Sequence, residues 1–144
     1  MILVDANLLL YAYHSGAAQH AVAKRWLESV LSGMEPVGLS WSTILAFLRI
    51  GTSPRVFERP YRIEEAESIV SSWLDRSSVA VLRPGERYWE ILRALLIEAR
   101  VEAALVSDAA LAALAIEHGA TLCSADRDFR RFPGLKLSNP IEGT

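Results

Sequence analysis

The spacing of apolar residues constrains the fold of this chain more than any other feature of its sequence. Residues 1–4 form an unbroken apolar run that ends at Asp5, as expected of a central strand buried on both faces. Similar short runs predict a second strand at residues 37–39, a third at 79–82, a fourth at 120–123 and a last one at 135–137.

Between these runs, apolar residues recur every three or four positions, which is the spacing of one face of a helix. The pattern predicts helices at about residues 17–31, 42–50, 63–74, 89–99 and 108–118. Ser107 can cap the last of them, and Gly119 stands just past its end. Short strands that alternate with helices indicate a parallel sheet covered on both faces, so we predict a single α/β domain over residues 1–144.

Composition limits the class of protein. The apolar fraction of 51% allows a sizeable core. The longest unbroken apolar run, residues 109–116, is far shorter than the roughly 20 residues of a membrane span. No basic leader precedes Asp5, so we expect no secretory signal and a cytoplasmic protein. The lone Cys123 excludes an internal disulfide and a cysteine-based zinc site.

The charge balance gives no general electrostatic attraction to nucleic acid. Fifteen basic and seventeen acidic residues produce a net charge of −2. All basic residues except Lys24 and Lys136 are arginines, which suit bidentate contacts to phosphate. A codon bias toward arginine explains the same count, and it is the favoured interpretation.

Acidic residues follow two of the expected strands, at the edge where parallel sheets bind ligands. Asp5 comes after the first strand, and Asp126 and Asp128 come after the fourth, while Asp108 stands at a helix N-terminus. If the first and fourth strands are neighbours, these carboxylates converge and repel one another. Mg²⁺ or Mn²⁺ held by their oxygens removes that repulsion, so the expected chemistry is metal-assisted hydrolysis.

Each of these acids also has a simpler interpretation. Asp5 can hydrogen-bond the turn that follows it, and Asp108 can be an ordinary acid in the first turn of a helix. Residues 126–128 can form a solvated turn. Spacing alone does not decide between these interpretations and a metal site.

Three segments of the sequence together resemble a known family. Residues 2–13, 108–119 and 121–129 look like the motifs of PIN-domain proteins, and more closely those of the VapC toxins of bacterial VapBC toxin–antitoxin pairs. The resemblance runs from end to end, with further matches at residues 132–135 and 139–140. It implies a three-layer PIN-like fold, in which helices flank a short twisted parallel sheet.

The activity implied by this resemblance is that of a Mg²⁺- or Mn²⁺-dependent endoribonuclease that cuts structured RNA, either transfer RNA or ribosomal RNA. The implied partners are the RNA substrate, a VapB antitoxin that inhibits the toxin, and a second copy of the chain in a homodimer. Toxin and antitoxin can assemble further into hetero-oligomers. The sequence leaves open the RNA target, the antitoxin's identity, the number of metal ions and any assembly beyond a dimer.

The resemblance also assigns roles to individual residues. The family's metal-binding acids correspond to Asp5, Asp108 and Asp126, and a frequent additional catalytic acid corresponds to Asp128. The family's polar positions that hydrogen-bond the site carboxylates or bound water correspond to Asn7 and Ser124.

Other residues at the expected edge of the site are candidates to support it or to bind RNA. Thr43 is a candidate supporting polar residue. Trp41 beside it can stack on a base, although core packing is the favoured interpretation for this side chain. The candidate phosphate contacts are Arg49, Arg55 and Arg130.

The chain departs from the family at one position of the site. The family usually has a glutamate on its second helix, three residues before an arginine, and here Ala46 stands before Arg49. Ala46 cannot bind a metal ion, so this departure argues against a second metal ion and against full-strength activity. Asp128 can take up part of the missing ligand set.

Two other classes of protein are alternatives for this sequence. A phosphoryl-transfer domain of the receiver or haloacid-dehalogenase type also places Asp after its first strand. It normally needs a second nearby acid and a later lysine, whereas position 7 is Asn7 and both lysines, Lys24 and Lys136, are badly placed. A catalytically weak or inactive module that binds protein or RNA is the stronger alternative because of Ala46. The four retained acids favour the nuclease.

The other aromatic and thiol groups are expected to be structural. Trp26, Trp73 and Trp89 fall on apolar helix faces, which predicts a place in the core or in a dimer interface. Cys123 is predicted to be a small buried hydrophobe. His14 lies nearer the expected site, but a structural role is favoured for it as well.

Overall fold

A single parallel sheet of five short strands organises the molecule. The computed structural model describes residues 1–143. Its strands are β1 (Ile2–Val4), β2 (Val37–Leu39), β3 (Val79–Val81), β4 (Thr121–Cys123) and β5 (Leu137–Ser138). Their order in the sheet is β3-β2-β1-β4-β5, and every pair of neighbours is parallel. The α/β prediction is therefore confirmed.

Six α-helices flank the sheet within the described residues. They are α1 (Ala6–Tyr13), α2 (His20–Ser32), α3 (Trp41–Gly51), α4 (Ile63–Leu74), α5 (Tyr88–Glu98) and α6 (Leu105–His118). A 3₁₀ helix, Arg127–Arg131, lies between β4 and β5. None of the helices in residues 1–143 has both the length and the apolar character that crossing a membrane requires.

The sheet is the middle of three layers because successive side chains of a strand point to opposite faces. In β1, Ile2 and Val4 belong to the hydrophobic cluster formed with α1 to α4. Leu3 belongs to a second cluster, formed with α5 and α6. All three side chains are buried, so β1 is the central strand that the first apolar run predicts.

An aromatic cluster holds α1, α3 and α4 together on one face. Phe47 packs edge-on against Tyr13 and Trp73, with ring centroids 5.8 Å and 4.8 Å away. Trp73 donates a hydrogen bond from Nε1 to the Tyr13 hydroxyl at 2.9 Å. Because α1 begins directly after Asp5, this packing also fixes the segment that carries the first of the site's acids.

The spacing of the sequence does not predict α1. Leu8, Leu9 and Leu10 are consecutive and all buried, so this short helix lacks a polar face that would show its period. Asp5 caps it, since the carboxylate accepts a hydrogen bond from the backbone N–H of Ala6 at 2.8 Å. The simpler interpretation of Asp5, in which it hydrogen-bonds the turn that follows, is therefore correct for one carboxylate oxygen, Oδ1. It does not account for the other oxygen, Oδ2.

The ends of two other elements differ from the sequence-based boundaries. Helix α6 begins at Leu105, so the cap assigned to Ser107 is wrong and Ala104 occupies that position without a side-chain hydrogen bond. Gly119 ends the helix as expected, with a left-handed φ of 65°. The last strand is Leu137–Ser138 rather than 135–137.

The tryptophans divide between core and surface. Trp73 is 1% exposed and confirms the core prediction, and Trp26 packs half-buried against the same cluster. Trp41 is 48% exposed, so the favoured core interpretation of this residue is wrong; it stands at the first position of α3, at the end of the sheet. Trp89 is 63% exposed and also lies outside the core.

Candidate metal centre at the carboxyl edge of the sheet

The carboxyl ends of β1 and β4 lie side by side. Val4 pairs with Cys123, and the backbone N–H of Asp5 donates to the Cys123 carbonyl at 3.0 Å. Asp5 and Ser124, the residues that follow the two strands, therefore emerge at the same edge although 119 positions separate them. The expected convergence of the first and fourth strands is confirmed.

A hydrogen-bond network fixes the carboxylate of Asp5. While Oδ1 accepts from Ala6, Oδ2 accepts from the Ser124 hydroxyl at 2.7 Å. Asn7 Nδ2 lies 3.4 Å from the same Oδ2 and 3.2 Å from Ser124 Oγ, and Asn7 Oδ1 accepts from the Ala125 backbone at 3.3 Å. The two polar residues singled out by the resemblance, Asn7 and Ser124, thus both contact Asp5.

The turn that starts the 3₁₀ helix positions Asp126 and Asp128. The backbone N–H of Asp126 donates to Ser124 Oγ at 3.0 Å, and Asp126 Oδ1 accepts from the backbone N–H of Asp128 at 2.9 Å. Asp126 is half-buried, whereas Asp128 is exposed. Ser124 therefore connects Asp5 with Asp126, and the same turn brings Asp128 beside them.

Asp108 reaches the same place from another element. It is half-buried in the first turn of α6. One oxygen each from Asp108, Asp126 and Asp128 lie within 4.8 Å of one another, and this is the only such group of potential metal ligands in residues 1–143. Asp5 stands outside that group of three, yet its carboxylate is near enough to affect the protonation of Asp108.

The environment of Asp108 favours its neutral form. Burial, together with the charge of nearby carboxylates, raises the pKa of Asp108 from 3.8 to about 6. Those carboxylates belong to Asp126, Asp5 and Asp128, in decreasing order of effect. The guanidinium of Arg131 opposes them, and it also forms a 3.9 Å ion pair with Asp128.

The environment of Asp5 also favours the neutral form of its carboxyl group. Burial raises the pKa of Asp5, the hydrogen bonds from Ser124 and Ala6 oppose the rise, and the charge of Asp126 adds to it. Four carboxylates gathered at one edge of the sheet repel one another when they are ionised, and a bound cation stabilises them in that form. Their hard oxygen atoms are the ligands that Mg²⁺ and Mn²⁺ prefer, so the residues present fit such an ion.

The three candidate RNA-binding arginines differ in their surroundings. Arg130 lines a cavity beside Asp126 and pairs with Glu142 at 3.6 Å. Arg49, in the last turn of α3, and Arg55, in the following loop, are both exposed. No hydrogen bond or ion pair within residues 1–143 joins either of them to the four acids.

Thr43 serves the start of α3. Its backbone N–H donates to Ser40 Oγ at 3.1 Å, and its hydroxyl accepts from the same Oγ at 3.0 Å. The structure thus makes Thr43 the partner of Ser40, which caps α3, and the role of Thr43 in the acidic site stays a prediction. Ala46, one turn later on α3, is half-buried and offers no ligand atom.

Sequence reasoning gave no role to two residues at the neighbouring strand end. Asn139 follows β5 and is 8% exposed, and Arg127 begins the 3₁₀ helix. Both line the cavity beside Asp126. The signal available in the sequence is the pair Asn139-Pro140 directly after the last strand, which belongs to the segments that carry the family resemblance.

Comparison with known proteins identifies relatives over the whole chain. A model of the PIN domain matches residues 2–135. Ribonuclease VapC37 of Mycobacterium tuberculosis is 42% identical over 140 residues, which are 97% of each chain. Ribonuclease VapC33 of the same species is 38% identical over 141 residues, or 98% of this chain and 99% of that protein.

Solved structures show the same fold at lower identity. VapBC2 from Rickettsia felis, bound to a DNA fragment from its promoter, has a TM-score of 0.68 at 24% identity and covers 96% of this chain and 98% of its own. VapC20 of Mycobacterium tuberculosis, a sarcin–ricin loop cleaving toxin, has a TM-score of 0.67 at 21% identity and covers 94% and 99%.

Proposed function

The chain belongs to the PIN-domain family, and we propose that it is a Mg²⁺- or Mn²⁺-dependent endoribonuclease toxin that a VapB-type antitoxin neutralises. The observation that carries this proposal is the cluster of carboxylates at the carboxyl edge of the sheet. Three elements far apart in sequence, which are the end of β1, the start of α6 and the turn after β4, contribute to it.

The metal ion would be held by Asp5, Asp108 and Asp126, directly or through water, with Asp128 as an additional acid. Support for this set comes from the 4.8 Å group formed by Asp108, Asp126 and Asp128, and from the raised pKa of both Asp5 and Asp108. When bound, such an ion supplies a Lewis acid that acidifies an attacking water and stabilises negative charge on the phosphoryl oxygens.

The chain's own residues orient this site. Ser124 uses its hydroxyl as a donor to Asp5 and as an acceptor for the Asp126 backbone, so one side chain sets the spacing of two acids. Asn7, on α1, contacts both Asp5 and Ser124 and helps to hold them in place. Pre-positioned ligands cost no rearrangement when the substrate phosphate arrives, which favours in-line attack of water on a phosphodiester.

The proposed substrate is structured RNA, either transfer RNA or ribosomal RNA, and the proposed place of action is the cytoplasm. The VapC and VapBC relatives support a VapB-type antitoxin as the partner. A homodimer is proposed as the toxin's own assembly, with hetero-oligomers of toxin and antitoxin beyond it. Exposed apolar side chains such as Trp41, Leu45 and Trp89 give such partners surface to bury.

The test is cleavage of purified total RNA with Mg²⁺, with Mn²⁺ and with EDTA. We expect discrete fragments that require a metal ion, and a loss of more than about 100-fold in rate for Asp126→Asn and for Asp5→Asn, because each removes a charged ligand. Asp75→Asn is the matched control, since Asp75 is an exposed acid at the end of α4. Unchanged cleavage by both site variants would overturn the assignment of the site.

A module that binds RNA or protein without cutting it is the second candidate, and Ala46 is the observation that favours it. Its expected result is different: wild type and Asp126→Asn cut no RNA, and calorimetry detects no Mg²⁺ or Mn²⁺ binding. Ala46→Glu then tests the cause, because restored metal binding in that variant would show that the missing glutamate had inactivated the site.

A further inference from the structure

The cavity beside Asp126 opens next to the acidic cluster, between the carboxyl ends of β4 and β5. Its volume is about 380 Å³, which is within the range of clefts that hold small ligands, roughly 300–1,000 Å³. Ser124 and Asp126 line it, so it is continuous with the proposed metal site. Ser124, Asp126 and Arg130 at its rim already have proposed roles, but none of those roles assigns an occupant to the cavity itself.

One wall of the cavity is apolar. Phe129 and Phe132 lie beneath it, 1% and 4% exposed, with ring centroids 6.2 Å apart. The half-buried side chains of Leu135 and Leu137 complete the wall. Such a surface suits the flat face of a planar ring better than it suits a charged group.

A buried amide provides polar specificity at the strand end. Asn139 lines the cavity, and its Oδ1 accepts a hydrogen bond from the Ile141 backbone at 3.0 Å. That bond orients the amide, and no hydrogen bond from Nδ2 is formed within residues 1–143. Asn139 therefore keeps a fixed donor for an occupant, as sites that read hydrogen-bonding groups do.

Two arginines supply positive charge at the same cavity. Arg127 and Arg130 line it and are exposed. Glu142 holds both, with Arg127 Nη2 at 2.6 Å and Arg130 Nη2 at 3.6 Å from its two oxygens. Guanidinium groups held in this way suit a phosphate, and a guanidinium plane can also stack on a base.

We propose that this cavity binds one unpaired nucleotide of the RNA substrate, next to the phosphodiester that is cut. The base lies against the apolar wall and accepts a hydrogen bond from Asn139 Nδ2, while Arg130 contacts the adjoining phosphate. This inference rests on the proposed ribonuclease function. A nucleotide is the occupant because its three parts, which are a planar ring, hydrogen-bonding edge atoms and a phosphate, match the three parts of the cavity, and because Asp126 is shared with the metal site.

The first test maps the bases that flank the cleavage sites in total RNA. We expect wild type to prefer particular bases at one position adjoining the cut bond, and Asn139→Asp to lose that preference together with about tenfold in kcat/KM. The substitution retains an oxygen that can accept from Ile141 and removes the donor. A uniform loss of rate with the base preference intact would overturn the contact from Asn139, because added negative charge alone has that effect.

The second test fills the cavity. Leu135→Trp is expected to lower kcat/KM by about tenfold or more, while Ile97→Trp, which adds the same bulk at an exposed position on α5, leaves it unchanged. Thermal melting of both variants shows whether each is folded. Equal activity of a folded Leu135→Trp variant and wild type would overturn the cavity as a nucleotide site.

A third measurement separates failure of this inference from failure of the proposed function. The four ribonucleoside 5′-monophosphates are titrated into wild type and Leu135→Trp without metal, and the side-chain signals of Asn139 and Arg130 are followed by NMR. Saturable shifts in wild type alone support the nucleotide site even if no RNA is cut. Metal-dependent cleavage by wild type with no shift at either residue retains the ribonuclease and overturns the site.

Discussion

Two buried serines follow two strands of the same sheet, and the structure uses them in opposite ways. Ser40 follows β2 and bonds with neutral partners, accepting from the Thr43 backbone at 3.1 Å and donating to the Thr43 hydroxyl at 3.0 Å. Ser124 follows β4 and connects two acidic residues. Its hydroxyl donates to the Asp5 carboxylate at 2.7 Å and accepts from the Asp126 backbone N–H at 3.0 Å. They are 5% and 1% exposed.

The difference shows that the end of a strand does not by itself make a functional site. At the end of β2 the hydroxyl completes the first turn of α3, and its bonds serve folding. At the end of β4 the hydroxyl holds two carboxylates near each other, although their charges repel. An arrangement that keeps like charges together works against stability, so its presence points to a ligand that compensates for it.

The largest effect expected from this comparison is that of Ser124→Ala on catalysis. Without the hydroxyl, Asp5 loses its 2.7 Å donor and Asp126 loses the acceptor for its backbone, so both acids are less well oriented. We expect the rate of RNA cleavage and the affinity for Mg²⁺ to fall by about 10–100-fold, the usual effect of removing a residue that orients metal ligands. Steady-state cleavage and calorimetry measure the two quantities.

Ser40→Ala is the matched control for that variant. It removes a hydroxyl of similar burial at the end of β2, which lies on the other side of β1 from β4, and cleavage under conditions where the protein is folded should remain near that of wild type. If both variants lose activity equally while both stay folded, the distinction between the two strand ends is wrong.

The next effect is a pH dependence of metal binding that arises from Asp108. Its pKa is about 6, so below that pH the carboxyl holds a proton that a metal ion must displace. We expect the affinity for Mg²⁺ to fall by up to about tenfold per pH unit below 6, and to level off above about pH 7. Calorimetric titrations between pH 5 and pH 8 test this, with Asp108→Asn expected to show weaker binding and a flatter profile.

Stability without metal should change in the opposite sense across the same window. The folded protein holds the Asp108 proton more tightly than the unfolded chain, whose carboxyl has the ordinary pKa of 3.8. The contribution of Asp108 to the free energy of unfolding is therefore highest below about pH 4 and is lost as the pH rises to about 6. Urea unfolding in EDTA should show this fall in wild type and a smaller fall in Asp108→Asn, in which Asp5, whose pKa is also raised, still contributes.

Much of the fold and the chemistry of the site could be predicted from sequence. Strands buried on both faces give unbroken apolar runs, and these located β1 to β4 closely. Asp5, Asp126 and Asp128 are candidates because they follow strands of a parallel sheet, and Asp108 because it stands at a helix start. The resemblance to PIN-domain proteins favours a metal site over the simpler interpretations of these acids. The sheet order places β1 beside β4, so Asp5 contacts Ser124 at the edge where Asp108, Asp126 and Asp128 form their group.

The features that the sequence pattern does not predict depend on how the elements pack together and where they begin. Helix α1 is buried nearly all round, so it shows no alternation between apolar and polar faces. The burial of Asn139 and the exposure of Trp41 depend on which elements pack beside them, and residue type does not determine that. The pairing of Thr43 with the cap Ser40 follows from the place where α3 begins, and element boundaries are the weakest part of a sequence pattern.

The smallest expected effect is that of Ser40→Ala on stability. The variant removes the side-chain acceptor for the Thr43 N–H at the start of α3, and such caps contribute about 1 kcal/mol. We expect a lower free energy of unfolding by about that amount and a fall in Tm of about 4 °C. Ser40→Thr, which keeps a hydroxyl acceptor, should recover part of the loss. If Ser40→Ala instead lowered Mg²⁺ affinity as much as Ser124→Ala does, the hydroxyls at the end of β2 would belong to the metal site, and Thr43 would regain the supporting role that the sequence suggested.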